Sequence, residues 1–183
     1  ALNRTWMRWK SEGGGVGEMS PEHYEAIGTM ARALDQHADK AFNELTSDHL
    51  KDICERVFQA LTETTPDGRS IRRPTTMGTL CAVAEASPQE VTEVLAVFRK
   101  PSRSFIMPPV PEPLTPDTVI DISHESLMRV WERLKNWVAD EAQSVRRYRR
   151  LSETARMHAI EPAYLRDPEL QNSLDWRGRT KPT

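Results

Sequence analysis

Ser123 and His124, inside the run Asp121-Ile-Ser-His-Glu-Ser-Leu127, are the residues whose types and spacing could do chemistry. Val119 to Ile122 is a short β-branched run, and apolar residues at helical period begin at Leu127. The chain therefore passes from strand to helix at Ser123-His124. The first N–H groups of a helix have no partner within it, and an anion is favoured beside them. An imidazole placed there can donate a ring N–H to an anion, and its charge responds near neutral pH. The chemistry indicated is contact with phosphate, not bond-breaking. A second reading stands beside it, in which His124 is a helix-start residue bonding to local backbone.

Other candidates reduce to structure. Gly13-Gly14-Gly15-Val16-Gly17 resembles a phosphate cradle in composition. A phosphate loop needs Gly-Lys-Ser/Thr after a strand, and here Glu18 and Met19 follow a helix-like stretch, so a linker is expected. His37 lies on the apolar face of a helix, and His37-Ala38-Asp39 has no second acidic or histidine partner at metal spacing, which predicts a packed, hydrogen-bonded core histidine. Cys54 and Cys81 are the only cysteines, each within a helical apolar pattern, and are expected as reduced thiols. Arg72 and Arg73 could assist at the His124 junction, or stand as exposed arginines on a turn. No catalytic residue and no metal site is expected.

The elements that must position His124 follow from periodicity and punctuation. Trp6 and Trp9 share a helical stripe with Leu2. Ser20-Pro21 starts a helix running to about Leu45, with Met30, Leu34, His37, Ala38, Ala41, Phe42 and Leu45 on one face. A second helix is expected from Ser47 to Thr62, then a turn at Thr64–Arg69 and a short strand at Ser70–Arg73. A short helix covers Thr75–Ala84. Ser87 and Glu90 flank Pro88 in a capping box that opens the next helix, to about Lys100. Arg103–Met107 and Thr118–Ile122 read as strands. Between them Pro108 to Pro116 holds five prolines in nine residues, a stiff loop. A long helix follows, with Leu127, Val130, Trp131, Leu134, Trp137, Val138, Val145 and Tyr148 in phase, extending to about His158. Asp167-Pro168-Glu169 opens one more helix through Trp176, and Arg177 to Thr183 reads as linker.

Helix, strand, helix, helix, strand, loop, strand is the order of a winged helix, with Ser87–Lys100 in the slot of the recognition helix. The expected fold class is mainly α: a helical subdomain, then a winged helix with a small β-wing, then a long C-terminal helix. The domain expectation is 1–45 helical subdomain, 46–123 winged helix, 124–160 long closing helix, and 161–183 short helix and linker.

Charge narrows the function. The 183 residues carry a net charge of −2. Between Glu22 and Glu63, nine acidic side chains face four basic ones, a surface that repels DNA. The candidate reading helix holds Glu90 and Glu93, with positive charge only at Arg99 and Lys100. The cluster Arg146, Arg147, Arg149, Arg150 is expected as a solvated face paired with Asp140 and Glu141. No apolar run reaches membrane-spanning length. The chain opens without Met and mid-helix in pattern, and is expected to be a piece of a longer cytoplasmic protein.

Several stretches carry a resemblance as an ordered set: Ala1-Leu-Asn-Arg-Thr-Trp6, Tyr24-Glu-Ala-Ile-Gly28, Ala33-Leu-Asp-Gln-His-Ala-Asp39, and Ile71-Arg-Arg-Pro74. The set continues with Phe98-Arg99, Phe105-Ile-Met-Pro-Pro109, Asp121-Ile-Ser-His-Glu-Ser-Leu127 and Trp137-Val-Ala-Asp-Glu141. Over residues 1 to about 176 the chain resembles the helical and winged-helix region of STAND-class NTPases with a NACHT-like core. This is the bacterial type that often carries WD or TPR repeats downstream. The resemblance implies an ATP-binding domain before Ala1 and sensor repeats after the fragment as partners in the same chain. ADP or ATP with Mg would be bound by the parent protein, not by the fragment alone. It also implies that His124, in the pattern His-x-Ser-Leu, contacts the β-phosphate of ADP and holds a closed state. The expected function is a regulatory module for an ADP-closed to ATP-open switch, with no chemistry of its own and with self-assembly on activation. Two alternatives are a DNA-binding winged-helix regulator, which has the fold order but the wrong charges, and a self-association scaffold joined through the long helix.

Overall fold

The computed structural model describes residues 30–65, 67–158 and 164–180. Expectations for Trp6, Trp9, the Gly13–Gly17 loop and the helix start at Ser20 lie outside the described residues. The chain divides into two compact units between Val138 and Ala139.

In the first unit, α1 spans Met30–Asn43 and α2 spans Asp48–Ala60. Ser47 caps α2 by accepting a hydrogen bond from the Leu50 N–H, as Ser before an apolar-periodic run does. Leu50, Ile53, Cys54, Val57 and Phe58 form its buried stripe. The helix ends sooner than its periodicity suggests. Thr62–Thr64 forms β1 and pairs antiparallel with β2, Ser70–Arg72, with Thr62 opposite Arg72. The turn between them needs Gly68 at φ +82, a conformation that costs glycine little.

Thr75–Thr76 is β3, where a helix start is expected from the sequence. Two residues carry too little periodicity to separate strand from helix start, and cross-strand pairing decides. α3 then runs Met77–Ala84 and α4 runs Pro88–Arg99, the latter opened by the full Ser87–Glu90 capping box. β4 is Ile106–Met107 and β5 is Val119–Ile122. The sheet order is β3-β5-β4, with Thr75 opposite Ile120 and Ile106 opposite Ile122. The chain is mainly helical with small antiparallel sheets and a long C-terminal helix, as expected; the strand expected at Ser70–Arg73 pairs in the β1–β2 hairpin, and β3 is the one that joins β5.

Past β5, α5 covers Glu125–Val130 and α6 covers Glu132–His158. The single long helix expected from Leu127 is thus interrupted at Trp131, whose ψ is 103°. Leu127, Trp131, Leu134, Trp137 and Val138 are buried as their phase requires. Val145 and Tyr148 share that phase but are exposed, since the first unit ends at Val138.

Trp131, fully buried, centres the core. Its ring meets Phe58 at 5.1 Å and Trp137 at 5.4 Å, both edge-on, and tilts against Phe98 at 5.8 Å. His37, half-buried at the edge of the core, packs against Phe105 with ring centroids 5.4 Å apart. Cys54 is buried and burial pushes its thiol pKa up; Cys81 is half-buried and likewise raised.

In the second unit, α7 spans Glu169–Thr180, four residues beyond the expected end at Trp176. Trp176 is buried and donates to Ser144 Oγ at 3.3 Å. The expected pairing of the arginine cluster with Asp140 and Glu141 is not made. Arg150 pairs with Glu169 at 2.5 Å and Arg147 donates to the Asn172 carbonyl at 3.2 Å, because α7 brings acceptors closer than the helix's own exposed carboxylates. No described helix is long and apolar enough to cross a membrane.

Candidate functional site

The β5–α5 junction is fixed from both sides. Ser123 donates its N–H to the Phe105 carbonyl at 2.9 Å and its hydroxyl to the Ser104 carbonyl at 2.5 Å, tying the chain to the start of β4. Leu127 and Met128 are buried on the other side. His124 stands between them as the N-cap of α5, with φ −134 and ψ 124. Its carbonyl accepts the Leu127 N–H at 3.0 Å, but its ring caps nothing and is exposed. The backbone is anchored and the imidazole is left to solvent.

The surroundings of His124 correct one part of the sequence argument. α5 has six residues and holds Glu125 in its first turn, bonded to Arg129 at 2.5 Å. So short a helix, with a carboxylate at its start, adds little to the anion preference of the ring itself.

Arg72 reaches the same junction. Its Nη1 donates to Asp121 Oδ2 at 2.7 Å and to the Ile122 carbonyl at 3.1 Å. The guanidinium is half-exposed, and Asp121 Oδ1 is buried without a partner. Arg73 uses its backbone N–H to bond the Leu61 carbonyl, which links the β1–β2 hairpin to the end of α2.

Three further groups, not singled out in the sequence, hold this region. Asp35 and Asp39 on α1 reach the Trp131 break. Asp35 Oδ1 accepts the Glu132 N–H at 2.9 Å; Asp39 Oδ1 accepts Trp131 Nε1–H at 2.8 Å and Arg133 Nε–H at 3.0 Å. Burial works against the Asp39 charge, but the Arg133 and Trp131 hydrogen bonds and the Arg133 charge outweigh it and hold its pKa low. Arg133 also lies over the Phe42 ring at 4.2 Å. A signal existed in two aspartates four residues apart beside an apolar face, but their partners lie more than ninety residues away.

Arg99 is the third, 5% exposed at the end of α4. It donates to the carbonyls of Pro108 at 2.6 Å, Pro109 at 3.1 Å and Glu112 at 2.6 Å, organising the proline loop. Lys100 and Arg103 both bond Glu44, which holds that carboxyl down at about 2. The basic groups closing the would-be reading helix are thus spent inside the fold. Its first turn holds Glu90, pulled to about 2 by the Ser87 cap and by His49 at 2.9 Å.

Among the described residues, several stretches of that ordered set make contacts. Asp35 and Asp39 touch Trp131 to Arg133, His37 touches Phe105, Arg99 touches Pro108 and Pro109, and Arg72 touches Asp121. The family description Novel STAND NTPase 1 matches residues 1–162. The chain belongs to this novel STAND NTPase family. Neither curated proteins nor solved structures yield a match. Within the novel STAND NTPase match, His124 is an exposed group that follows directly on the anchored Ser123, and Arg72 bonds Asp121 and the Ile122 carbonyl at the end of the same strand.

Proposed function

We propose that this chain is the regulatory helical and winged-helix module of a cytoplasmic STAND signalling ATPase. It acts as the lid that closes on nucleotide held by another domain of the same parent protein, and performs no bond-breaking itself. In this reading 1–45 is the end of a helical subdomain, 46–123 the winged helix, 124–160 the closing helix, and 161–183 the passage toward a sensor region. His124 donates a ring N–H to the β-phosphate of ADP, bound with Mg in the parent, and so favours the closed form. Exchange for ATP, or a signal from the sensor region, weakens that bridge. The nucleotide moves the balance only by its difference in affinity for the two forms.

The observation that carries the reading is the solvent-facing ring of His124 on a backbone pinned by Ser123 and by the burial of Leu127 and Met128. A donor so mounted is preorganised and gives up no internal bond when it meets an anion. The charges of α4 support a regulatory module over a DNA reader, since its terminal cations bond Glu44 and the proline loop.

The test is His124→Ala in the full-length protein, with ADP release followed by a fluorescent analogue. A hydrogen bond to a charged group contributes about 1.5–3 kcal/mol, so release should quicken by roughly ten- to a hundredfold. Unchanged release and unchanged basal activity would remove the phosphate role.

A further inference from the structure

Nothing in the sequence from Glu125 to His158 calls for a helix break. The span holds no proline and no glycine. Leu127, Met128, Trp131, Leu134, Trp137 and Val138 make the stripe of one unbroken helix. Yet α5 stops at Val130, Trp131 turns extended, and α6 restarts at Glu132. Sharp breaks arise at proline, at glycine and serine pairs, at bulges, or where a foreign group enters the hydrogen-bond ladder. The last applies here. In an unbroken helix the Glu132 N–H would bond the Met128 carbonyl. Instead it donates to Asp35 Oδ1 at 2.9 Å. One turn along α1, Asp39 takes the Trp131 indole N–H at 2.8 Å and Arg133 Nε–H at 3.0 Å. Each residue of the joint is thus held by a carboxylate from α1. Trp131, the N-cap of α6, has a donor-only side chain and cannot supply the acceptor itself.

We infer that Asp35 and Asp39 are positioning residues for His124: they hold the α5–α6 joint broken, and when α1 withdraws them the two helices join and carry His124 from its place. The joint stands on its own geometry, while its consequence for nucleotide rests on the phosphate reading of His124. The broken form keeps Leu127 and Met128 buried and borrows the Asp35 acceptor; the joined form regains the Glu132–Met128 bond. α1 precedes the winged helix, so a shift of that helix is transmitted to His124 through one joint.

Two variants test this in the 183-residue chain. Asp35→Ala removes the borrowed acceptor, and loss of a capping group shifts the balance roughly tenfold toward the joined helix. The Glu132 amide should stay protected in hydrogen exchange, now against Met128, while the Trp131 indole N–H resonance moves. Glu132→Pro has no N–H to satisfy, suits the first position of a helix, and clashes within a continuous one. Trp131 already has the extended backbone that a following proline prefers. Adding Glu132→Pro to Asp35→Ala should therefore return the indole resonance to its original position. Loss of protection at Glu132 with an unmoved indole signal would mean a lost cap only, and would overturn the joint, as would failure of the proline to revert it.

ADP release from the full-length protein separates the two claims. Release quickened by Asp35→Ala and restored by Glu132→Pro supports the positioning role. If the helix joins but only His124→Ala alters release, the positioning role is overturned. If the helix joins and His124→Ala also leaves release unaltered, the phosphate reading fails, and the positioning role falls with it while the joint stands.

Discussion

Two helix starts lie one short helix apart, at His124 and at Trp131, and neither residue caps its helix as serine or aspartate would. At Trp131 the deficit is filled from outside: Asp35 takes the first amide of α6 and Asp39 the indole N–H. Around that joint the side chain is fully buried and ringed by Phe58, Phe98 and Trp137. At His124 no side chain arrives, and the ring remains in solvent. The difference separates position from recognition. A polar group satisfied inside the fold sets geometry, and one held out on fixed backbone is free to meet a ligand.

The sharpest way to break the comparison is Trp131→Ala, expected to cost about 3–5 kcal/mol by denaturant unfolding. A cost near that of His124→Ala would erase the distinction. Next, Asp39→Ala strands the indole N–H in the core and leaves Arg133 without its acceptor. The expected loss is about 1–3 kcal/mol, read the same way, with a shifted tryptophan emission.

A smaller effect appears on the acid side. Glu44, bonded by Arg103 and Lys100, has its carboxyl lowered from 4.5 to about 2. A depressed folded-state value means that its contribution is present above pH 4.5 and lost as pH falls through about 2. Glu44→Gln should therefore lower stability at neutral pH and flatten the fall between those values; an unchanged acid slope would count against this clamp. The smallest expected effect is on the stability of His124→Ala, within about 0.5 kcal/mol, as for an exposed side chain without partners. Together with faster ADP release, that result would place the ring's value in binding and not in folding.

Much of the fold was legible along the chain because it was written locally. Ser47 and the Ser87–Glu90 box announced two helix starts, and both caps are made. The stripes of α2 and α4 were buried as phased. Short strands were the weak point: β3 holds two residues, and only its pairing with Val119 and Ile120 distinguishes it from a helix start. Val145 and Tyr148 kept phase and stayed exposed, since periodicity marks a face without saying what covers it.

By itself, the sequence determined the helix-rich class, the starts of α2 and α4 with the Ser87–Glu90 capping box, and the place of His124 between strand and helix. Those features depend on neighbours a few residues apart. Only the tertiary structure decided that Arg99 turns inward to the proline loop, that Arg72 reaches Asp121, and that α5 and α6 part at Trp131. Each of these bonds joins an ionic side chain to groups whose approach is set by packing, and for the Trp131 joint those groups lie on a helix more than ninety residues away.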